Sequence, residues 1–321
     1  MDRRPRTTQT VTSKGLVLEV ETRTSPSPRI APILAVRALA EGQAAIRPQL
    51  EALLPLADVV AVRIAGISAP GVLPQDHTLD DLADGLAAVL DQLGLARVNV
   101  CGTSHGGEIA YRLAVRHPQR IERVALTGAT GHPRDHLPPG ISAAVLADRM
   151  KSSARHEMAD YVAAALLCQD PALPVRGRAA LRWVLDDLIS NTDDQQIDIW
   201  IRCLRLLRDA PQPTAITMPL LAVTGEHDVV SRPPECRALA ALSPGSVFAT
   251  IKEADHFVFL TRTREHLEVT RRFLLDQRLE DLPYLAVLEQ FPHPRPTTAA
   301  TPRGERECLI NGGSVDHGDA K

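Results

Sequence analysis

Aromatic side chains are scarce in this sequence, at 3% of its 321 residues. A site built from stacked rings is therefore not expected, and a cleft walled by Leu, Val, Ala and Met is. Cysteine is sparse too. The five cysteines (Cys101, Cys168, Cys203, Cys236 and Cys308) are odd in number, widely spaced and form no C-x-x-C pair. That pattern argues against a disulfide framework and against a zinc site, and fits thiols in a reducing cytoplasm. No metal and no cofactor are expected. A basic excess is also missing. The formal net charge is −3, so no field for nucleic acid is implied. No apolar run approaches a membrane span. The opening Met1-Asp-Arg-Arg-Pro-Arg6 leads into no apolar stretch, so no secretory leader is read.

What is present is a rhythm. Residues 9–23, with Val11, Leu16, Leu18 and Val20, read as one or two amphipathic strands. Pro32-Ile-Leu-Ala-Val36 and Val59-Val-Ala-Val62 are short apolar runs fit for buried parallel strands. Thr78-Leu-Asp-Asp81 has a capping-box pattern. It opens a helix with Leu79, Leu82, Leu86, Val89, Leu90 and Leu93 on one face, closed by Gly94. Strands are expected at 97–101 and at Val124–Thr127. Strands alternating with helices predict an α/β class protein with a doubly wound, mostly parallel sheet. Between about 131 and 215 the alternation stops. Glu157–Leu167, Ala179–Ile189 and Ile197–Leu207 all carry helical periodicity. The rhythm resumes with a strand at Leu220–Thr224, a helix around Pro234–Leu242, a strand at Ser246–Ile251 and a helix from Arg264 to Gln277. The expected organisation is an α/β core from 10–130 and 216–287, a helical cap from 131–215, and a disordered tail from 288–321, rich in Pro, Thr, Arg and Gly.

The densest chemical signal is Val98-Asn-Val-Cys-Gly-Thr-Ser-His-Gly-Gly107. A β-branched run ends in Gly102-x-Ser104-x-Gly106, and a helix with Ile109, Leu113 and Ala114 on one face follows at once. Strand, G-x-S-x-G, helix is the nucleophile elbow, which lifts a serine hydroxyl clear of the sheet on a strained turn. A serine hydroxyl needs a base to take its proton, and the base needs an acid partner. Both residue types stand just past later strands. Asp228 lies in Thr224-Gly-Glu-His-Asp228, and His256 in Glu253-Ala-Asp-His256-Phe. Those strand ends are where open α/β sheets bind ligands. Glu226 is a rival acid.

From about residue 12 to 278 the chain resembles the α/β-hydrolase superfamily. The likeness is carried by Gly102-Thr-Ser104-His-Gly106-Gly, Gly225-Glu-His-Asp228 and Asp255-His256-Phe, in that order. The resemblance implies the α/β-hydrolase fold, with Ser104 as nucleophile, His256 as base and Asp228 as orienting acid. It also implies an oxyanion hole from the backbone N–H groups of His105 and Leu39. The His105 side chain is read as lining the pocket. Asp255 stands where the family often has glycine, and reads as a turn residue. Two slots depart from the family pattern. His-Gly after the third strand is replaced by Arg37-Ala38-Leu39, and an Asp after the fourth strand by Arg63. Two arginines at adjacent strand ends suggest a fork for a carboxylate or phosphate on the substrate or its carrier. Pairing with a local acid such as Glu41, or solvation at the rim, is the alternative.

The expected function is a serine hydrolase acting on a small-molecule acyl substrate. It would cleave a carboxylic ester or thioester through an acyl-serine intermediate. A looser likeness, in layout alone, is to bacterial hydroxyacyl transferases. It implies the same acyl-enzyme delivered to an alcohol or thiol. A ligand-binding member of the fold without turnover is the third reading.

Overall fold

Two residues with positive φ start the sheet. Lys14 (φ 49°) and Gly15 (φ 79°) turn the chain between β1 (Arg6–Ser13) and β2 (Leu16–Arg23), with Ser13 opposite Leu16. Positive φ at both central residues matches the twist of the strands they join. The computed structural model describes residues 6–37, 43–131 and 155–292. β3 (Ile33–Val36), α1 (Gln43–Leu53), β4 (Val59–Ile64), α2 (Leu79–Gln92), β5 (Val98–Thr103), α3 (His105–Arg116) and β6 (Ile121–Thr127) follow. Next come three described helices, α4 (Arg155–Leu166), α5 (Arg178–Ser190) and α6 (Asp194–Arg208). The alternation returns with β7 (Leu220–Gly225), α7 (Pro233–Ala241), β8 (Ser246–Ile251), the single-turn α8 (Val258–Thr261), α9 (Thr263–Leu274) and β9 (Leu285–Phe291).

The strands form one sheet in the order β1-β2-β4-β3-β5-β6-β7-β8-β9. Pairing is parallel from β4 through β3, β5, β6 and β7 to β8, and antiparallel at β1–β2, β2–β4 and β8–β9. All four residues of β3 are buried because helices cover both faces. Leu34 and Val36 join a cluster with Leu86 and Val89 of α2 and Ile109 and Leu113 of α3. Ile33 and Ala35 join Ile46 and Leu50 of α1 and Val269 and Phe273 of α9. The capping box at α2 is formed in full. Thr78 Oγ1 accepts the Asp81 N–H at 3.3 Å, and the Asp81 carboxylate accepts the Thr78 N–H at 2.9 Å.

Helices α4 to α6 are an insertion between β6 and β7. Met158, Ala159, Ile189, Ile197, Trp200 and Ile201 make a small core there. The insertion is also bound into the main body, because Cys203, Leu206 and Leu207 of α6 belong to the cluster under α2 and α3. The Arg202 guanidinium donates to the carbonyls of Pro74 and His77.

One boundary is corrected. Disorder was expected from residue 288, yet Leu285–Phe291 is a strand paired antiparallel with β8. An edge strand needs backbone partners on one side only, and β8 offers them. β9 is half exposed, so its apolar pattern is weak. Arg237 ties it down by pairing with Glu289 at 2.8 Å and lying over the Phe291 ring. The rest of the expected tail, 293–321, lies outside the described residues.

A buried histidine makes acid stability testable. His266 of α9 is 4% exposed, and its Nε2 lies 2.7 Å from Thr127 Oγ1. Burial pushes the imidazole down from 6.5 to about 4. Between those values the unfolded chain takes up a proton that the folded chain refuses. The stabilisation is present above pH 6.5 and is lost as pH falls towards 4, up to roughly 3 kcal/mol. Urea midpoints of the wild type should therefore fall more steeply over that range than those of His266→Gln. Parallel profiles would refute the assignment.

Candidate active site

Ser104 sits between β5 and α3 with φ 50° and ψ −123°. Positive φ is costly for a residue with a Cβ, so the surrounding packing must hold it. The Ser104 N–H donates to the Thr127 carbonyl at 2.7 Å, and the Ser104 carbonyl accepts the Gly107 N–H at 2.8 Å. The flanking glycines are required by contact. A Cβ on Gly102 would stand 2.6 Å from the Gly106 carbonyl oxygen. One on Gly106 would stand 2.5 Å from the Val36 carbonyl oxygen. Both obstacles are backbone, which cannot give way.

Ser104 Oγ lies 2.9 Å from His256 Nε2, and His256 Nδ1 lies 3.0 Å from Asp228 Oδ2. His256 and Asp228 are 4% and 3% exposed. The Asp228 carboxylate is thoroughly bonded. Oδ2 also accepts the Thr224 hydroxyl at 2.5 Å. Oδ1 accepts the N–H groups of Val230 and Ser231 at 2.8 and 2.7 Å. Burial alone would push this carboxyl up. The adjacent His256 and the bonds from His256, Thr224 and Ser231 outweigh it and hold the group below the usual carboxylate range. An ionised Asp228 keeps the imidazole proton on Nδ1 and leaves Nε2 to accept from a hydroxyl. The rival Glu226 is occupied elsewhere. Its Oε1 accepts the Glu253 N–H at 2.5 Å and lies 3.3 Å from His227 Nε2.

The loop after β6 backs this arrangement. A Cβ on Gly128 (φ 59°) would stand 3.1 Å from His256 Cε1, so backbone packs directly on the imidazole. The Gly128 carbonyl accepts the Ser231 hydroxyl at 2.7 Å. Farther along, the buried carboxylate of Glu108, in the first turn of α3, accepts the Thr130 and Gly131 N–H groups at 2.9 Å each. Sequence reasoning missed Glu108, Gly128, Thr224 and Ser231. Only Thr224 lies inside a recognised motif, and nothing in the pattern marks it.

The alpha/beta hydrolase fold model matches residues 58–263, more than half of the chain. The chain belongs to the α/β hydrolase family. A protein named carbamate hydrolase RutD, from Yersinia enterocolitica, is 27% identical over 245 residues, covering 71% of this chain and 82% of that one. The pimeloyl-[acyl-carrier protein] methyl ester esterase of Neisseria meningitidis is 27% identical over 232 residues, covering 71% and 86%. The crystal structure of the enol-lactonase from Burkholderia xenovorans shares the fold, with a TM-score of 0.66 at 22% identity, and is matched over 83% of this chain and 100% of that one.

In this α/β hydrolase the other expected site residues are placed less simply. Leu39 lies outside the described residues. The His105 ring is buried at 2% exposure, at the start of α3. The expected Arg37–Arg63 fork beside Ser104 is corrected. Both arginines line a cavity of about 350 Å³ with Arg6, Glu19, Glu21 and Ile46, and neither Ser104, Asp228 nor His256 lines it. Arg63 donates to Glu19, which faces it across β2 and β4. The pleat explains the difference. Side chains alternate along a strand, so Arg63 shares the face of Ala61 against α1, away from Val62 and Ile64. Arg37 is 3% exposed. Its backbone abuts Gly106 at the elbow, and the residue also lines the cavity. Among the described residues, no group of His, Cys, Asp and Glu is placed to hold a metal ion, and no helix is long and apolar enough to cross a membrane.

Proposed function

We propose that this enzyme hydrolyses carboxylic esters or thioesters through an acyl-serine intermediate. Ser104 is the nucleophile, His256 the general base and Asp228 the acid that orients it. The observation that carries this reading is the continuous hydrogen-bonded relay from Ser104 Oγ through His256 to buried Asp228. Ser104 Oγ attacks the acyl carbon while its proton passes to His256 Nε2. The imidazolium so formed is stabilised by Asp228. The oxyanion of the tetrahedral intermediate meets the backbone N–H of His105 at the first turn of α3. On collapse, His256 returns the proton to the departing alcohol or thiol, which leaves with the electron pair of the cleaved bond. Water then attacks the acyl-serine, with His256 again taking the proton, and on collapse His256 returns it to Ser104 Oγ as the acid is released.

The relatives' names support the reaction class. A carbamate hydrolase, a methyl ester esterase and an enol-lactonase all cleave a bond to a carbonyl carbon. The esterase's acyl-carrier substrate also makes a carrier-linked acyl group a natural member of the test panel.

The test is covalent labelling. A fluorophosphonate probe should label the wild type in a single peptide, at Ser104. Graded p-nitrophenyl esters and acyl thioesters should then yield free acid as product. Labelling at another residue would overturn the serine assignment. Transfer of the acyl group to an added alcohol or thiol in preference to water would replace hydrolysis by acyl transfer.

A further inference from the structure

The residue before His256 has no part in the relay just described. Asp255 is nevertheless 0% exposed. One of its oxygens accepts the Phe257 N–H at 3.1 Å, within the His256 loop. The other accepts the Cys168 N–H at 3.4 Å, just past the end of α4 in the insertion. Burial pushes the carboxyl up, and the bonds from Phe257 and Cys168 and the nearby His256 pull it only part of the way back. The bond from Phe257, two residues on, is that of an Asx turn and agrees with the expected turn role, whereas the bond from Cys168 is no part of a turn.

Other contacts join the same two parts of the molecule. The Arg176 N–H donates to the Glu253 carbonyl at 2.8 Å, and the Arg176 side chain pairs with the Glu253 carboxylate at 2.5 Å. Phe257 and Leu260 pack on Ala163, Leu167, Leu181 and Leu185 of the insertion. Phe257 also meets the His256 ring edge-on, with centroids 5.6 Å apart. On the core side, the His227 N–H donates to the Ala254 carbonyl at 2.9 Å. A Cβ on Gly225 would stand 2.3 Å from the Asp255 carbonyl oxygen, so the loop lies tight against the end of β7. The loop carrying His256 is thus clamped, with core on one side and insertion on the other.

We infer that Asp255 is a positioning residue that ties the helical insertion to the His256 loop, so that seating of the insertion and alignment of His256 form one equilibrium. The inference rests on the serine mechanism proposed above. Asn at position 255 offers one acceptor oxygen where the carboxylate offers two, so it keeps one of the two bonds. Ala keeps neither.

The test uses the full chain. Three readouts are followed in Asp255→Ala, Asp255→Asn and the surface variant Arg176→Ala: fluorophosphonate labelling rate, amide hydrogen exchange over 160–181, and the His256 ring resonances by NMR. Asp255→Ala should label at least tenfold more slowly, exchange faster in that segment and shift the His256 resonances. Asp255→Asn should fall between it and the wild type. Arg176→Ala, at an exposed position, should give the same three changes in smaller measure and keeps the test decisive should Asp255→Ala fail to fold. Faster exchange with wild-type labelling and unmoved His256 resonances would overturn the inference. So would slower labelling with unchanged exchange. Absence of Ser104 labelling in the wild type would refute the serine mechanism instead. The His256 resonances, which need no chemistry at Ser104, would then still decide whether the tie exists.

Discussion

Ser104→Ala is expected to abolish nearly all ester turnover, lowering kcat by about 10⁴–10⁶. The loss should be in kcat, because only the nucleophilic oxygen is removed. Binding contacts elsewhere remain, so KM should change little. The fold should survive, since alanine carries the same Cβ through the positive φ of the elbow and adds no clash. Steady-state hydrolysis of p-nitrophenyl acetate, run beside a thermal melt, separates the two effects. Activity within tenfold of wild type in a folded variant would remove Ser104 from the mechanism.

Asp228→Asn should cost about 10²–10⁴ in kcat with the site otherwise in place. The asparagine amide offers His256 a donor as well as an acceptor, so the imidazole proton is no longer held on Nδ1. Asp228 should also shape the acid limb of stability. Its carboxyl is held below its ordinary value. The stabilisation it contributes is present above the unfolded-state pKa and is lost as pH falls through the lower folded value. The asparagine variant should therefore lose less stability on acidification than the wild type does. Glu226→Gln is the control. Glu226 accepts from the Glu253 backbone rather than from His256, so this variant should keep most of its activity. Full activity in Asp228→Asn with loss in Glu226→Gln would reverse the assignment of the acid.

The elbow was legible because its requirements are local. Gly102 is needed by the Gly106 backbone just beyond it, and Ser104 follows from the tight strand–helix turn between them, although Gly106 itself is needed by the distant β3 backbone at Val36. Asp228 and His256 could be named because each stands just past an apolar strand run, where a parallel sheet gathers its loops. Periodicity likewise marks α4, α5 and α6, whose apolar faces are set within each helix. The arginines show the limit. Sequence order puts Arg37 and Arg63 at strand ends, but the pleat and the pairing of β2 with β4 decide the face, and Glu19 lies opposite Arg63 only in that register. β9 depends on the free edge of β8, which no property of residues 285–291 reveals.

The same division runs through the supports of the candidate site. Glu108 reaches Thr130 and Gly131 across 22 and 23 residues of chain, and Asp255 reaches Cys168 across 87. Their partners are backbone N–H groups, which every residue except proline carries, so no spacing or residue type announces them. By itself the sequence determined the alternation of strands and helices, the strained turn at Ser104 and the order of the chemical groups, because those follow from short-range sterics and from periodic burial. Tertiary structure alone decided what occupies Glu226, which face the arginines take and what clamps the His256 loop. Those outcomes depend on register and packing between segments far apart in the chain.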